Sequence, residues 1–137
     1  MTSFVICSSM RNLSDMRYYN DLLKSHGHTV WMPTPFDTHK YKEIALDLQE
    51  IARPQHFLKI KNLPENGCVL VVNKGGYIGY GTFAEIAYAS ALRSVHGHQI
   101  RILTTEPVFE GEPYYEETAV FGLELFDQKE FGIDINL

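Results

Sequence analysis

The chain contains no run approaching the roughly 18 apolar residues of a membrane-spanning helix. Its start, MTSFVICSSMRN, has no basic segment and too short an apolar stretch for a secretion signal. A soluble, cytoplasmic protein without a membrane partner is the expectation. Cysteine is scarce: Cys7 and Cys68 both sit inside apolar runs, as reduced core thiols of a reducing compartment do. Positive charge is also in short supply. With 12 Lys and Arg against 17 Asp and Glu, the net charge is −5, which argues against a nucleic-acid polymer as ligand. The deficit is uneven: from Glu106 onward nine acidic residues face one base, Lys129, while residues 1–104 carry eleven bases and eight acids. The earlier part is thus mildly basic and suits an anionic small molecule. Repeats, low-complexity tracts and linkers are absent, so 137 residues with 45% apolar content read as one globular domain, 1–137.

Four apolar runs alternate with helical patterns. Phe4–Cys7 is a short β-rich run that stops at Ser8 and Ser9. Residues 12–26 place Leu13, Met16 and Leu23 at helical spacing, with Gly27 as the stop. Thr29–Met32 reads as a strand closed by Pro33 and Pro35. From Tyr41 to Leu63 a helical pattern through Ile44, Leu48, Ile51, Phe57 and Ile60 is broken or kinked at Pro54. Cys68–Val72 is continuously apolar, as a central parallel strand buried on both faces must be. A helix of about thirteen residues runs from Phe83 to Ser94, and Gln99–Leu103 is a fourth strand. Beyond it, Val120 to Phe126 suits a last short strand or helix. The alternation predicts an α/β fold with a parallel sheet of four to five strands, whose ligands bind at the carboxyl ends of the strands.

Between the third strand and its helix, Asn73–Gly81 holds Gly75, Gly76, Gly79 and Gly81. Glycines so dense serve close backbone approach or positive φ, and the helix N-terminus that follows favours an anion. Neither the Walker loop nor the dinucleotide fingerprint fits their order. Thr82-Phe83-Ala84-Glu85 spells a capping box, in which Glu85 satisfies only the Thr82 amide. It equally places a carboxylate at the mouth of the sheet, where the helix dipole favours the ionised, nucleophilic form.

The segments VICSSMRN, SHGHTVWMP and GYGTFAEIAYA together resemble the nucleoside 2-deoxyribosyltransferase-like superfamily, which includes the 2′-deoxynucleoside 5′-phosphate N-hydrolases. The resemblance covers most of residues 3–104 and implies a single flavodoxin/Rossmann-like three-layer domain. It also implies cleavage or exchange of the N-glycosidic bond of a nucleotide or nucleoside, with Glu85 as the nucleophile. Ser8, Ser9 and Arg11 then match the first phosphate-contacting motif, and the amides of Gly75, Gly76, Gly79 and Gly81, with Thr82, would complete it. The family's phosphate-binding Ser six residues before the Glu is Gly79 here. Asn73 stands where an Asp is more familiar and suits a base or sugar hydroxyl. His56 matches a family Asp and, titrating near neutrality, suits protonation of the base or orientation of water. Tyr77 and Tyr80 suit stacking on a base. The resemblance also implies a homodimer, and neither metal nor redox cofactor.

GGYIGYGTFAEI is similar as well to a segment of cytokinin-riboside-monophosphate phosphoribohydrolases, which cleave the same bond type. A non-catalytic nucleotide sensor, with Glu85 only a helix cap, and an NAD-type glycohydrolase are the remaining readings. Two His-Gly-His repeats, His26–His28 and His96–His98, each fall where a helix turns into a strand. Glycine C-caps explain them better than a metal does.

Overall fold

Each apolar run becomes a strand of one sheet, because a segment without polar side chains has to be covered on both faces. The computed structural model describes residues 1–33, 54–112 and 114–134. In chain order these form β1 (Ser3–Cys7), α1 (Leu13–Ser25), β2 (Thr29–Trp31), α2 (described over residues 54–61), β3 (Cys68–Val71), α3 (Tyr80–His96), β4 (Arg101–Thr104), α4 (Tyr115–Ala119) and β5 (Glu124–Leu125). The five strands lie in the order β2-β1-β3-β4-β5, all neighbours parallel. That is the flavodoxin-like order of a doubly wound fold, whose connections change direction between β1 and β3.

Alternation along the two central strands divides the core in two. Val5, Cys7, Val69 and Val71 face Ile60 of α2 and Ile86, Ala89 and Leu92 of α3. Phe4, Ile6, Cys68 and Leu70 face Met16 and Leu23 of α1, with Phe131 and Ile133 from the C-terminal segment. Helices thus cover both faces, the three-layer arrangement expected from the sequence. Both His-Gly-His repeats end helices through a left-handed glycine, Gly27 at φ 86° and Gly97 at φ 69°. His26 Nδ1 lies 2.9 Å from the Leu22 carbonyl, and His28 bridges the Thr2 amide and the Phe131 carbonyl.

Several boundaries differ from the sequence reading. α3 begins at Tyr80, three residues early, because extended Gly79 is its N-cap and its carbonyl accepts from the Phe83 amide. The capping box therefore does not form: Thr82 and Glu85 are inside the helix, with Glu85 in its second turn. β4 begins at Arg101, two residues late, since the Gln99 carbonyl turns away to accept from the Asn66 amide. The acidic C-terminal stretch supplies internal partners: Arg101 pairs with Glu124 and Glu130 across the sheet edge. The helical pattern through Ile44, Leu48 and Ile51, and the loop beyond Pro33, lie outside the described residues. Among the described residues no helix is long and apolar enough to cross a membrane.

Candidate functional site

The carboxyl ends of β1 and β3 lie side by side, with Cys7 paired to Val71. Three side chains from three elements converge there. Cys7 is the last residue of β1, His56 projects from α2, and Glu85 from the second turn of α3. His56 Nδ1 lies 2.9 Å from Glu85 Oε1, and His56 Nε2 lies 3.1 Å from Cys7 Sγ. The imidazole therefore bridges thiol and carboxylate with its two nitrogens. The Trp31 ring packs edge-on against it at 5.0 Å between centroids, and Lys59 Nζ stands 5.9 Å from that indole. Cys7 is fully buried, His56 is 5% exposed and Glu85 9%. Among the described residues Glu85 Oε2 is buried with no hydrogen-bond partner. Such an oxygen keeps lone pairs for something else.

Burial pushes the Cys7 thiol well above its ordinary range, and the negative charge of Glu85 pushes it further the same way. Cys7 is thus a neutral S–H group, not a thiolate nucleophile. Its sulfur, an imidazole nitrogen and a carboxylate oxygen all lie within 4.8 Å of one another, a donor set suited to a borderline-soft cation such as zinc. The ring, however, turns one nitrogen to each neighbour. A single ion takes only one nitrogen of an imidazole, so ligation by all three groups would require the ring to turn. The arrangement held here is a hydrogen-bonded bridge.

The turn after β1 brings Arg11 and Tyr77 together, with the guanidinium carbon 4.4 Å from the ring centroid. Arg11 is exposed, and Ser9 Oγ accepts from the Arg11 amide as the cap of the Met10–Asn12 turn. Ser8 is spent differently from expectation. Its hydroxyl donates to the Val72 carbonyl at 2.6 Å while accepting from Asn12 Nδ2, stitching the turn to the end of β3. Ser9 and Arg11 therefore keep capacity for an anion, and Ser8 has little left.

The glycine loop divides as well. The Gly75 amide donates to Glu106 Oε2 at 2.8 Å and the Gly76 amide to the Asn73 carbonyl at 2.8 Å. An internal carboxylate accepts from the Gly75 amide, and the Gly76 amide closes the turn. Gly76 instead lets the chain after β4 dock: a Cβ there would sit 2.6 Å from the Pro107 carbonyl oxygen. Asn73 is completely buried. Its side chain accepts from Thr105 Oγ1 and the Glu106 amide and donates to the Glu106 carbonyl. With both its oxygen and its nitrogen engaged, Asn73 pins this loop to the chain after β4. A cleft of about 420 Å³ between Gly75, Gly76 and residues 106–110 contains neither Glu85 nor Arg11. Its two carboxylates, Glu106 and Glu110, make it repel a phosphate. Gly79, Gly81 and Thr82 lie at the start of α3, whose N-cap glycine has no side chain to accept from the first amides, so among the described residues these donors have no side-chain cap. Tyr80 is 67% exposed at the same end.

Sequence reasoning missed Cys7, Trp31 and Glu106 as site members. Cys7 read as an ordinary core thiol, yet it ends a central parallel strand, where side chains at the carboxyl edge reach the ligand side. Trp31 carries the same signal at the end of β2. Glu106 carried none, since its partner is a backbone amide 31 residues away.

No family model matches the chain, and the search of curated proteins returns no match. Among solved structures, a 2-deoxyribosyltransferase from the psychrotolerant bacterium Bacillus psychrosaccharolyticus superposes with a TM-score of 0.58 at 14% identity, over 98% of this chain and 93% of that one. At that identity what the two chains share is the fold.

Proposed function

We propose that the protein cleaves or exchanges the N-glycosidic bond of a nucleoside or nucleoside 5′-monophosphate, with Glu85 as the nucleophile. One observation carries this reading: a nearly buried carboxylate at the carboxyl edge of the sheet, gripped through one oxygen by an imidazole, its other oxygen without a partner among the described residues. The likeness in fold to a 2-deoxyribosyltransferase supports it.

Glu85 Oε2 attacks C1′ of the sugar as the C1′–N bond breaks, and the bonding pair leaves with the base, which takes up a proton. The transition state resembles an oxocarbenium ion, and the covalent glycosyl–enzyme ester traps it. Water then attacks C1′, displaces the carboxylate and releases the sugar, or a second base does so and forms a new nucleoside. The His56 contact fixes the carboxylate's orientation, so that the free oxygen is the one that reacts. Both ring nitrogens being engaged, His56 serves Glu85 here, and the leaving base draws its proton from another donor. Arg11 and Ser9, with the uncapped amides at Gly79–Thr82, bind a 5′-phosphate: a fixed cation, a hydroxyl and a helix N-terminus all favour an oxyanion. Tyr77, whose ring lies 4.4 Å from the Arg11 guanidinium carbon, borders the same subsite. Metal and redox cofactors have no part in this reaction, and a homodimer belongs to the same reading.

The test is incubation with a panel of ribo- and deoxyribonucleosides and their 5′-monophosphates, with and without a second base, and with free base read by chromatography. Base release that falls by about three orders of magnitude or more in Glu85→Gln, with binding retained, is the expected result. Tight binding of one member without release from any would sink the catalytic reading and leave a nucleotide sensor.

A further inference from the structure

Cys7 takes no part in the chemistry above, yet it is the most deeply buried member of the cluster. It ends the strand beside β3, on the core face it shares with Ile60 of α2 and Ile86 of α3. Its sulfur touches the ring nitrogen of His56 that Glu85 does not. A buried imidazole bridging two groups has few ways to place its protons. In one arrangement the thiol donates to Nε2 and Nδ1–H donates to Glu85 Oε1, leaving Glu85 an ionised carboxylate. In the reverse arrangement Nε2–H donates to sulfur and a protonated Glu85 donates to Nδ1. The first makes Glu85 a nucleophile and the second makes it an acid.

We infer that Cys7 is a positioning residue, whose S–H group donates to His56 Nε2 and thereby holds the ring proton on Nδ1, facing an ionised Glu85. The 3.1 Å and 2.9 Å contacts on opposite ring nitrogens carry the inference. Sulfur chemistry supports it: thiol sulfur is a weak acceptor, and a dry S–H beside a carboxylate keeps its proton. The neighbours hold the ring in that orientation, since Trp31 packs edge-to-face with it and the site has almost no solvent exposure. Ligand-bearing histidines in metal sites are oriented in the same manner, by whatever their second nitrogen meets. The consequence for rate rests on the proposed role of Glu85, whereas the placement of the proton does not.

Long-range proton–nitrogen NMR on protein with 15N-labelled histidine reads the tautomer of His56 directly, without substrate. The expected spectrum shows His56 protonated on Nδ1 alone. Cys7→Ser, which keeps a donor at this position, preserves that signature. Cys7→Val, which has none, loses it, and base release falls by about ten- to a hundredfold in the valine variant but much less in the serine variant. A His56 protonated on Nε2 in the unaltered protein would overturn the inference, and that result needs no variant to fold. So would a valine variant that folds and keeps the Nδ1–H signature. An Nδ1–H signature that depends on Cys7, in a protein that releases no base from any substrate, upholds the relay and counts against the glycosidic reading.

Discussion

Asn73 makes four internal hydrogen bonds, three through its side chain and one through its backbone N–H. Its amide and backbone N–H hold Thr105 and Glu106, 32 and 33 residues away, and nothing of it reaches solvent. Removing the side chain takes away three part-buried hydrogen bonds, those to Thr105, the Glu106 amide and the Glu106 carbonyl, and each lost bond costs about 0.5–1.5 kcal/mol. Asn73→Ala is therefore expected to lower unfolding free energy by about 2–4 kcal/mol in urea titration, with the denaturant slope unchanged. Any loss of activity should follow the loss of folded protein. A variant that stays fully stable while losing substrate affinity would restore the substrate-contact role that the sequence suggested. Glu85 is the opposite case. Among the described residues one oxygen is satisfied and the other is not, so the neutral amide of Glu85→Gln removes reactivity without leaving a buried charge behind.

The element that decides the site is the passage from β3 through the glycine turn to α3. Gly75 and Gly76 both have positive φ, at 70° and 79°, but they are not equivalent. A Cβ on Gly75 meets nothing within 4 Å, whereas one on Gly76 would strike the Pro107 carbonyl oxygen and the Phe109 amide at 2.6 and 2.8 Å. Backbone atoms cannot swing aside as a side chain does. Gly75→Ala is expected to cost about 1 kcal/mol, the ordinary penalty for a left-handed alanine. Gly76→Ala should cost roughly twice that or more, because the turn and the 106–109 segment must separate. Thermal melts of the two variants provide the comparison, and equal shifts would show that the close approach contributes nothing. Four clustered glycines announced a special backbone here. Whether it cradles a ligand or another part of the chain could not be read, since Pro107 and Phe109 lie some thirty residues on in sequence.

Over the whole molecule, the response to alkali should follow from the second thiol. Burial raises Cys68 from an ordinary 9.0 to about 11, with Arg101 lowering it and Glu130 and Glu124 raising it in turn. The folded state thus holds this proton more tightly than the unfolded chain does. Its contribution is complete below pH 9 and is lost as pH rises from about 9 toward 11. Cys7, pushed up further by burial, acts in the same direction and over a wider span. Stability should fall with rising pH above about 9, by an amount on the order of 1–2 kcal/mol for Cys68, and Cys68→Val should flatten part of the slope. At the acid end the sign reverses. Arg101 hydrogen bonds hold Glu124 below its ordinary value, so its contribution is lost as pH falls through the lowered value. That pair is half-exposed and the effect is small.

Periodicity and composition by themselves determined the alternation of strands and helices, the doubly covered β3, the two glycine-capped helix ends and the position of Glu85 beyond the third strand. These depend on which face of a local segment must leave water, a property of neighbours in sequence. Only the tertiary structure decided how the polar groups pair. Helix α3 starts at Tyr80, with Gly79 as its cap, after a turn held by Glu106 and packed on Pro107, and that shift took Glu85 out of a capping box. Cys7 and His56 meet across 49 residues, and Glu85 joins them because β1, α2 and α3 share one face of the sheet. Burial and hydrogen bonding act through space, so the partners that turn a core thiol and a helical histidine into supports for a carboxylate have no signature in local sequence.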